Sequence, residues 1–114
     1  MKYILVVFLA IIALVSAGRV LDDELERQKA VMKARINTFE AKVEADIKHF
    51  DTTKLKDSSD QKELKDTRIE LEQHKVELTK VISPDDLEPI GDRMTYLEDW
   101  EPSQVARMED KLHH

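Results

Sequence analysis

The chain has 114 residues, 37 % of them charged, and its 24 acidic against 18 basic side chains give a net charge of −6 at pH 7. Acidity of this degree, with no two Lys or Arg residues adjacent, gives no electrostatic ground for binding nucleic acid or an anionic lipid surface, and it leaves out the dibasic sites of a prohormone. Cysteine is absent, so a small fold must rely on helix packing, self-association or a ligand instead of disulfides.

The first segment, MKYILVVFLAIIALVSAG, joins Lys2 to an apolar run from Tyr3 to Val15 and then to small residues. Val15 and Ala17 stand where a signal peptidase needs them for a cut before Gly18. The run is shorter than the roughly 20 apolar residues a membrane-spanning helix requires, so stable membrane insertion is not expected. Residues 1–17 therefore read as a secretory signal peptide and residues 18–114 as a single helical domain, secreted and extracellular. Cleavage removes Lys2 and no acid, taking the net charge to −7. No Asn-x-Ser/Thr sequon occurs, since Asn37 is followed by Thr38 and Phe39.

From Leu21 to Ser83 there is neither Pro nor Gly, and strong helix formers dominate. The first helix is expected from about Leu21 to Phe50, with the acids Asp22, Asp23 and Glu24 in its first turn. Leu25, Met32, Ile36, Phe39, Val43, Ile47 and Phe50 form one apolar stripe with steps of three and four, interrupted by Lys29 and Asp46. DTTKLKDSSD, residues 51–60, reads as the break. Asp60 followed by Glu63 fits a capping box opening a second helix that runs to about Ile82. Leu64, Leu71 and Leu78 make a heptad row, with Thr67, His74 and Val81 beside it. Ile69 and Val76 fall on another flank, roughly 140° away at 100° per residue, which suits a second neighbour or a second chain.

Ser83 and Pro84, followed by acids, read as a stop and a restart. Leu87, Ile90, Met94, Leu97 and Trp100 continue the spacing, and Pro102 is expected to kink or split the third helix before Val105, Met108 and Leu112. The fold class is all-α: an elongated antiparallel three-helix bundle joined by short connections. A helix of about 30 residues is about 45 Å long, so the bundle is thin and exposes apolar stripe, which makes a homodimer a plausible partner state.

Candidate chemistry is sparse. Asp46-x-x-His49 places a carboxylate and an imidazole one turn apart, and Glu70 and His74 do the same, but neither has the second copy that a metal-binding bundle uses. His113 and His114 read as a loose tail. Ser16, Ser58, Ser59, Ser83 and Ser103 lack a nucleophile context, and two separated glycines cannot form a phosphate loop. No catalytic residue, metal or cofactor is expected.

At IKHF, residues 47–50, the chain resembles the group 5/21 allergens of mites, small secreted proteins in which a leader precedes a cysteine-free antiparallel helical bundle. A similar I-x-H-F ends their first long helix. The Lys- and Asp-rich TTKLKDSSD and the later DDLEPI (85–90) fall at matching places, while EDWEPSQ, with Pro102, departs from the family's uninterrupted last helix. The resemblance implies secretion, no known catalysis, self-association and an apolar cavity between helices, and it transfers no functional residues.

The function expected on these grounds is a secreted, non-enzymatic helical bundle that binds an apolar small molecule or lipid in its core or at a dimer interface. Ile36, Phe39, Val43, Phe50, Leu71, Leu78, Met94, Leu97 and Trp100 would line that interior. The competing reading is a secreted protein–protein interaction module, an effector or structural part with no small ligand, which would associate through Ile69 and Val76.

Overall fold

The computed structural model describes the backbone of residues 2–113 and the side chains of residues 23–113. The expected leader and its cut before Gly18 lie outside the residues whose side chains are described. The described chain is all-α, with α1 (Lys2–Asp51), α2 (Ser59–Thr79), a 3₁₀ turn at Pro84–Asp86 and α3 (Leu87–Leu112). Among the described residues no helix is long and apolar enough to cross a membrane.

The burial pattern follows the helical repeat. Ile36, Phe39, Val43, Ile47 and Phe50 are buried on α1, and Leu64, Thr67, Leu71, His74 and Leu78 on α2. Steps of three and four keep each set on one face of its helix. On α3 the buried run is Ile90, Met94, Leu97, Glu101, Gln104 and Met108. The apolar members of all three sets belong to one core cluster, with Leu25, Met32, Trp100, Val105 and Leu112 packed at its edges.

Polar contacts index the helices against one another. Asp51 meets Gln61 at 2.9 Å and Lys65 at 3.4 Å, Lys75 meets Glu40 at 2.9 Å, and Lys29 reaches the Val81 carbonyl at 3.3 Å. Arg35 of α1 clasps the Glu98 carboxylate of α3, and Lys42 lies 3.0 Å from Glu101.

The connections depart from the sequence reading in three places. The N-cap of α2 is Ser58, whose hydroxyl accepts from the Gln61 amide at 3.2 Å; Asp60 lies inside the first turn and is buried. A hydroxyl at that position satisfies the same orphan amide, which frees the Asp60 carboxylate to face α3. The α2 helix closes at Thr79, earlier than Ile82, because the Lys80 amide turns back to the Glu77 and Leu78 carbonyls. Lastly, α3 continues across Pro102, so the residues expected in a separate last helix belong to α3. Proline withholds one backbone donor, and burial of Glu101, Gln104 and Met108 on either side holds the turn together.

The loop after α1 does more than connect. Leu55 is buried in the core cluster, and Thr53 and Ser58 hydroxyls donate to the Phe50 and Leu55 carbonyls at 2.7 Å each. At the other connection, Asp86 Oδ2 accepts from the Ile82 and Ser83 amides at 3.1 and 3.2 Å.

Candidate functional site

Of the nine residues expected to line an interior site, eight are brought together. Ile36, Val43, Phe50, Leu71 and Met94 have no exposed surface, and Phe39, Leu78 and Leu97 have at most 5 %. They fill the space between the helices with one another, so a ligand there would have to displace packed side chains. Trp100 is only half-buried and packs at the margin, where it lines a shallow cleft with Leu97, Tyr96 and Thr67.

Larger open volumes lie between helices at the surface. The cleft between α1 and α2 has a volume of about 650 Å³. Ala30, Val76, Leu78 and Thr79 supply its apolar surface, and Glu26, Lys29, Lys33, Glu72 and Lys75 its rim. Helix α1 places Glu26, Lys29, Ala30 and Lys33 there through its three-and-four spacing, and α2 does the same with Glu72, Lys75, Val76 and Thr79.

The rim lysines differ in how they are engaged. Lys75 is held by Glu40 at 2.9 Å and Glu72 at 3.3 Å, and the Glu40 bond raises its pKa. Lys29 is shared between Glu26 at 3.6 Å and the Val81 carbonyl. Lys33 forms no ion pair with a described residue.

The flank proposed for association is as open as its spacing suggests: Ile69 and Val76 are each 55 % exposed, and Val76 also belongs to the α1–α2 cleft.

Three carboxylates mark the polar centres of the fold. Asp60 accepts from Arg107 at 3.2 Å and pairs with Lys111, while its backbone carbonyl accepts from Gln104 at 3.1 Å. The Lys111 bond leads the effects that hold its carboxyl below the ordinary range. Glu70 takes two bonds from Arg93 at 2.8 Å each and one contact from His74 Nε2 at 2.9 Å. Arg93 is the main cause of its lowered pKa. Asp46 is the opposite case: desolvation, reinforced by Glu101, pushes its carboxyl up to about 7.

The two histidine motifs engage different partners. Asp46 is acted on by Glu101, whereas His49 Nε2 meets Glu109 at 2.7 Å and its ring sits edge-on to Phe50 at 4.8 Å. His74, buried in the seam of α2, is bracketed by Glu70 and Glu77 of its own helix. Among the described residues no group of three or more His, Asp or Glu side chains is placed to hold a metal ion.

The residues missed from sequence are Glu101, Gln104, Gln61 and Leu55. From Leu97 to Trp100 is a step of three toward the more apolar residue. The alternating register of Ile90, Met94 and Leu97 instead calls for a step of four to Glu101, then Gln104 and Met108. That alternation is the signal in the residue order, and it puts a carboxylate in place of the neighbouring aromatic on the buried face.

Comparison with known proteins adds no relative: no family model, curated protein or solved structure matches the chain.

Proposed function

We propose that this is a secreted, non-enzymatic protein, an elongated antiparallel three-helix bundle bent at Pro102, which carries an apolar ligand in the cleft between α1 and α2. The contacts from Asp51–Lys65 to Lys29–Val81 run oppositely along α1 and α2, which supports the bundle. The secretory leader read from residues 1–17 and the resemblance to mite group 5/21 allergens are part of the same proposal.

The observation that carries the ligand reading is the contrast between a filled interior and an open cleft with an apolar floor. Its volume of about 650 Å³ lies within the roughly 300–1,000 Å³ of small-molecule sites. Lys33 at the rim suits an acidic head group, so the ligand class favoured is an amphiphile with a carboxylate.

The test is titration of delipidated protein with a fluorescent fatty-acid probe, alongside Val76→Glu. Saturable binding near one probe per chain, weakened at least tenfold by the substitution, is expected. Absence of binding at high micromolar probe would overturn the proposal.

The exposure of Ile69 and Val76 favours a second reading, association through the outer face of α2 as a protein–protein module. Ile69 does not line the cleft. Ile69→Glu should therefore reduce the sedimenting mass while sparing the probe if that reading holds, and should leave the mass unchanged if it fails.

A further inference from the structure

The cleft between α2 and α3 repeats one arrangement twice and completes it once. Glu70 takes two bonds from the Arg93 guanidinium, at 2.8 Å each, and that guanidinium lies 4.8 Å from the centre of the Tyr96 ring. Carboxylate and aromatic face thus act on the same positive charge and form one closed set with it. Farther along, the Asp60 carbonyl accepts from Gln104 at 3.1 Å, so α2 and α3 run oppositely through this stretch. One turn on from the closed set, four residues back on α2 and four ahead on α3, stand Asp66 and Trp100. Both line the same cleft. The place of Arg93 falls in this second set to Leu97, which brings no charge.

The second set lacks its cation. Asp66 is exposed and forms no hydrogen bond or ion pair with a described residue. Glu63, one turn before it, accepts from Gln104 at 3.2 Å and lies 4.0 Å from Arg107. An indole is the best aromatic platform for a cation, yet among the described residues the one cation over a ring is Arg93 on Tyr96, and Trp100 has none. Leu97 and Thr67, both buried, line the cleft with them. Its volume is about 240 Å³, under the roughly 300 Å³ of the smallest drug-sized sites, so it suits a small molecule. Carboxylates alone gather a diffuse, screened atmosphere of counter-ions. The tryptophan beside Asp66 and the guanidinium missing from the repeat are what give this cleft a preference.

We infer that this cleft binds a small organic cation, an ammonium or guanidinium group carried on an apolar or aromatic body. The charged group sits against Asp66 and the Trp100 ring, as Arg93 does between Glu70 and Tyr96. The apolar body covers Leu97 and Thr67. A hydroxyl in place of the ammonium would lose both attractions while keeping the shape. The site shares no lining residue with the α1–α2 cleft, so the inference stands independently of the amphiphile proposal.

Trp100 is the single tryptophan, so its fluorescence reads the site directly. The full chain should be titrated with phenethylamine at neutral pH and constant ionic strength, with 2-phenylethanol as the uncharged isostere. A saturable change in Trp100 emission is expected with the amine, and binding of the alcohol should be about tenfold weaker or less. Asp66→Asn, at an exposed position that the fold does not depend on, should weaken the amine at least about fivefold and leave the alcohol unchanged. Equal affinities for amine and alcohol, no saturable response at millimolar amine, or undiminished amine binding in Asp66→Asn would overturn the inference. An NMR titration of the unaltered chain decides the matter without a variant. Saturable shifts confined to Thr67, Leu97 and the Trp100 indole support the site, and shifts spread equally over other exposed acids such as Asp85 and Asp86 refute it.

Discussion

The two ends of the described helical core are built differently. At one end, the loop carrying Leu55 caps the core, and Phe50, Leu64 and Met108 are fully buried beside Gln61, Gln104 and Asp60. At the other, Leu25 and Met32 are only partly buried, Ile82 is 85 % exposed, and clefts open on either side of α1. The first end spends its polar groups on fixing one arrangement of three helices, because a buried amide or carboxylate tolerates few partners. The second leaves apolar surface in contact with water, which is costly for a fold and useful for a ligand. On the proposed function, stability and binding fall at opposite ends.

The comparison is broken most strongly by Phe50→Ala, which should cost about 3–5 kcal/mol in chemical denaturation because it empties a fully enclosed position. Met32→Ala, at the open end, should cost less than half of that. If the two costs are equal, the ends do not differ as described.

Pro102→Ala should come next and in the opposite direction, raising stability by about 1–3 kcal/mol by restoring a helical donor in the middle of α3. Straightening of α3 should accompany it if the proline bends the helix, read from small-angle scattering.

Asp60→Ala removes the acceptor shared by Arg107 and Lys111 and should cost about 1.5–3 kcal/mol at neutral pH. Because the Asp60 carboxyl is held below its ordinary value, its contribution is complete above about pH 4 and is lost as pH falls further. A thermal-stability profile from pH 7 to 2 should show a shallower acid limb in the variant. Asp46, whose pKa is raised, has the reverse slope, so one chain contains two aspartates with opposing pH dependence.

The smallest expected effect is at Gly91, inside α3, where an added Cβ would meet only the mobile Met32 Cε at 3.4 Å. Gly91→Ala should stabilise by about 0.5–1 kcal/mol through helix propensity, measured by denaturation midpoint. A loss instead would show that Met32 cannot yield and that the open end is packed more tightly than its exposure indicates.

Much of this organisation is legible in the residue order. Steps of three and four on α1 and α2 place Ile36, Phe39, Val43, Leu64, Leu71 and Leu78 in the core, because periodicity alone decides which side of a helix is covered. Ile69 and Val76 are read correctly as lying off that face. The polar members of the seam were harder to see. Glu101 and Gln104 obey the register, but a carboxylate and an amide are ordinarily exposed, and only their partners across the helices, Lys42 for Glu101 and the Asp60 carbonyl for Gln104, explain their burial. The α1–α2 cleft was illegible for a related reason: Ala30, Lys33 and Val76 belong to no single stripe and become neighbours only through helix packing.

The most direct test of the ligand proposal is an NMR titration with the same fatty-acid probe, following backbone amides and methyl groups. Saturable shifts at Ala30, Val76, Leu78 and Thr79, with Val43, Leu71 and Met94 unmoved, are predicted. Shifts centred on Val43, Leu71 and Met94, or no shifts up to the solubility limit of the probe, would contradict a cleft that carries the ligand outside a packed core.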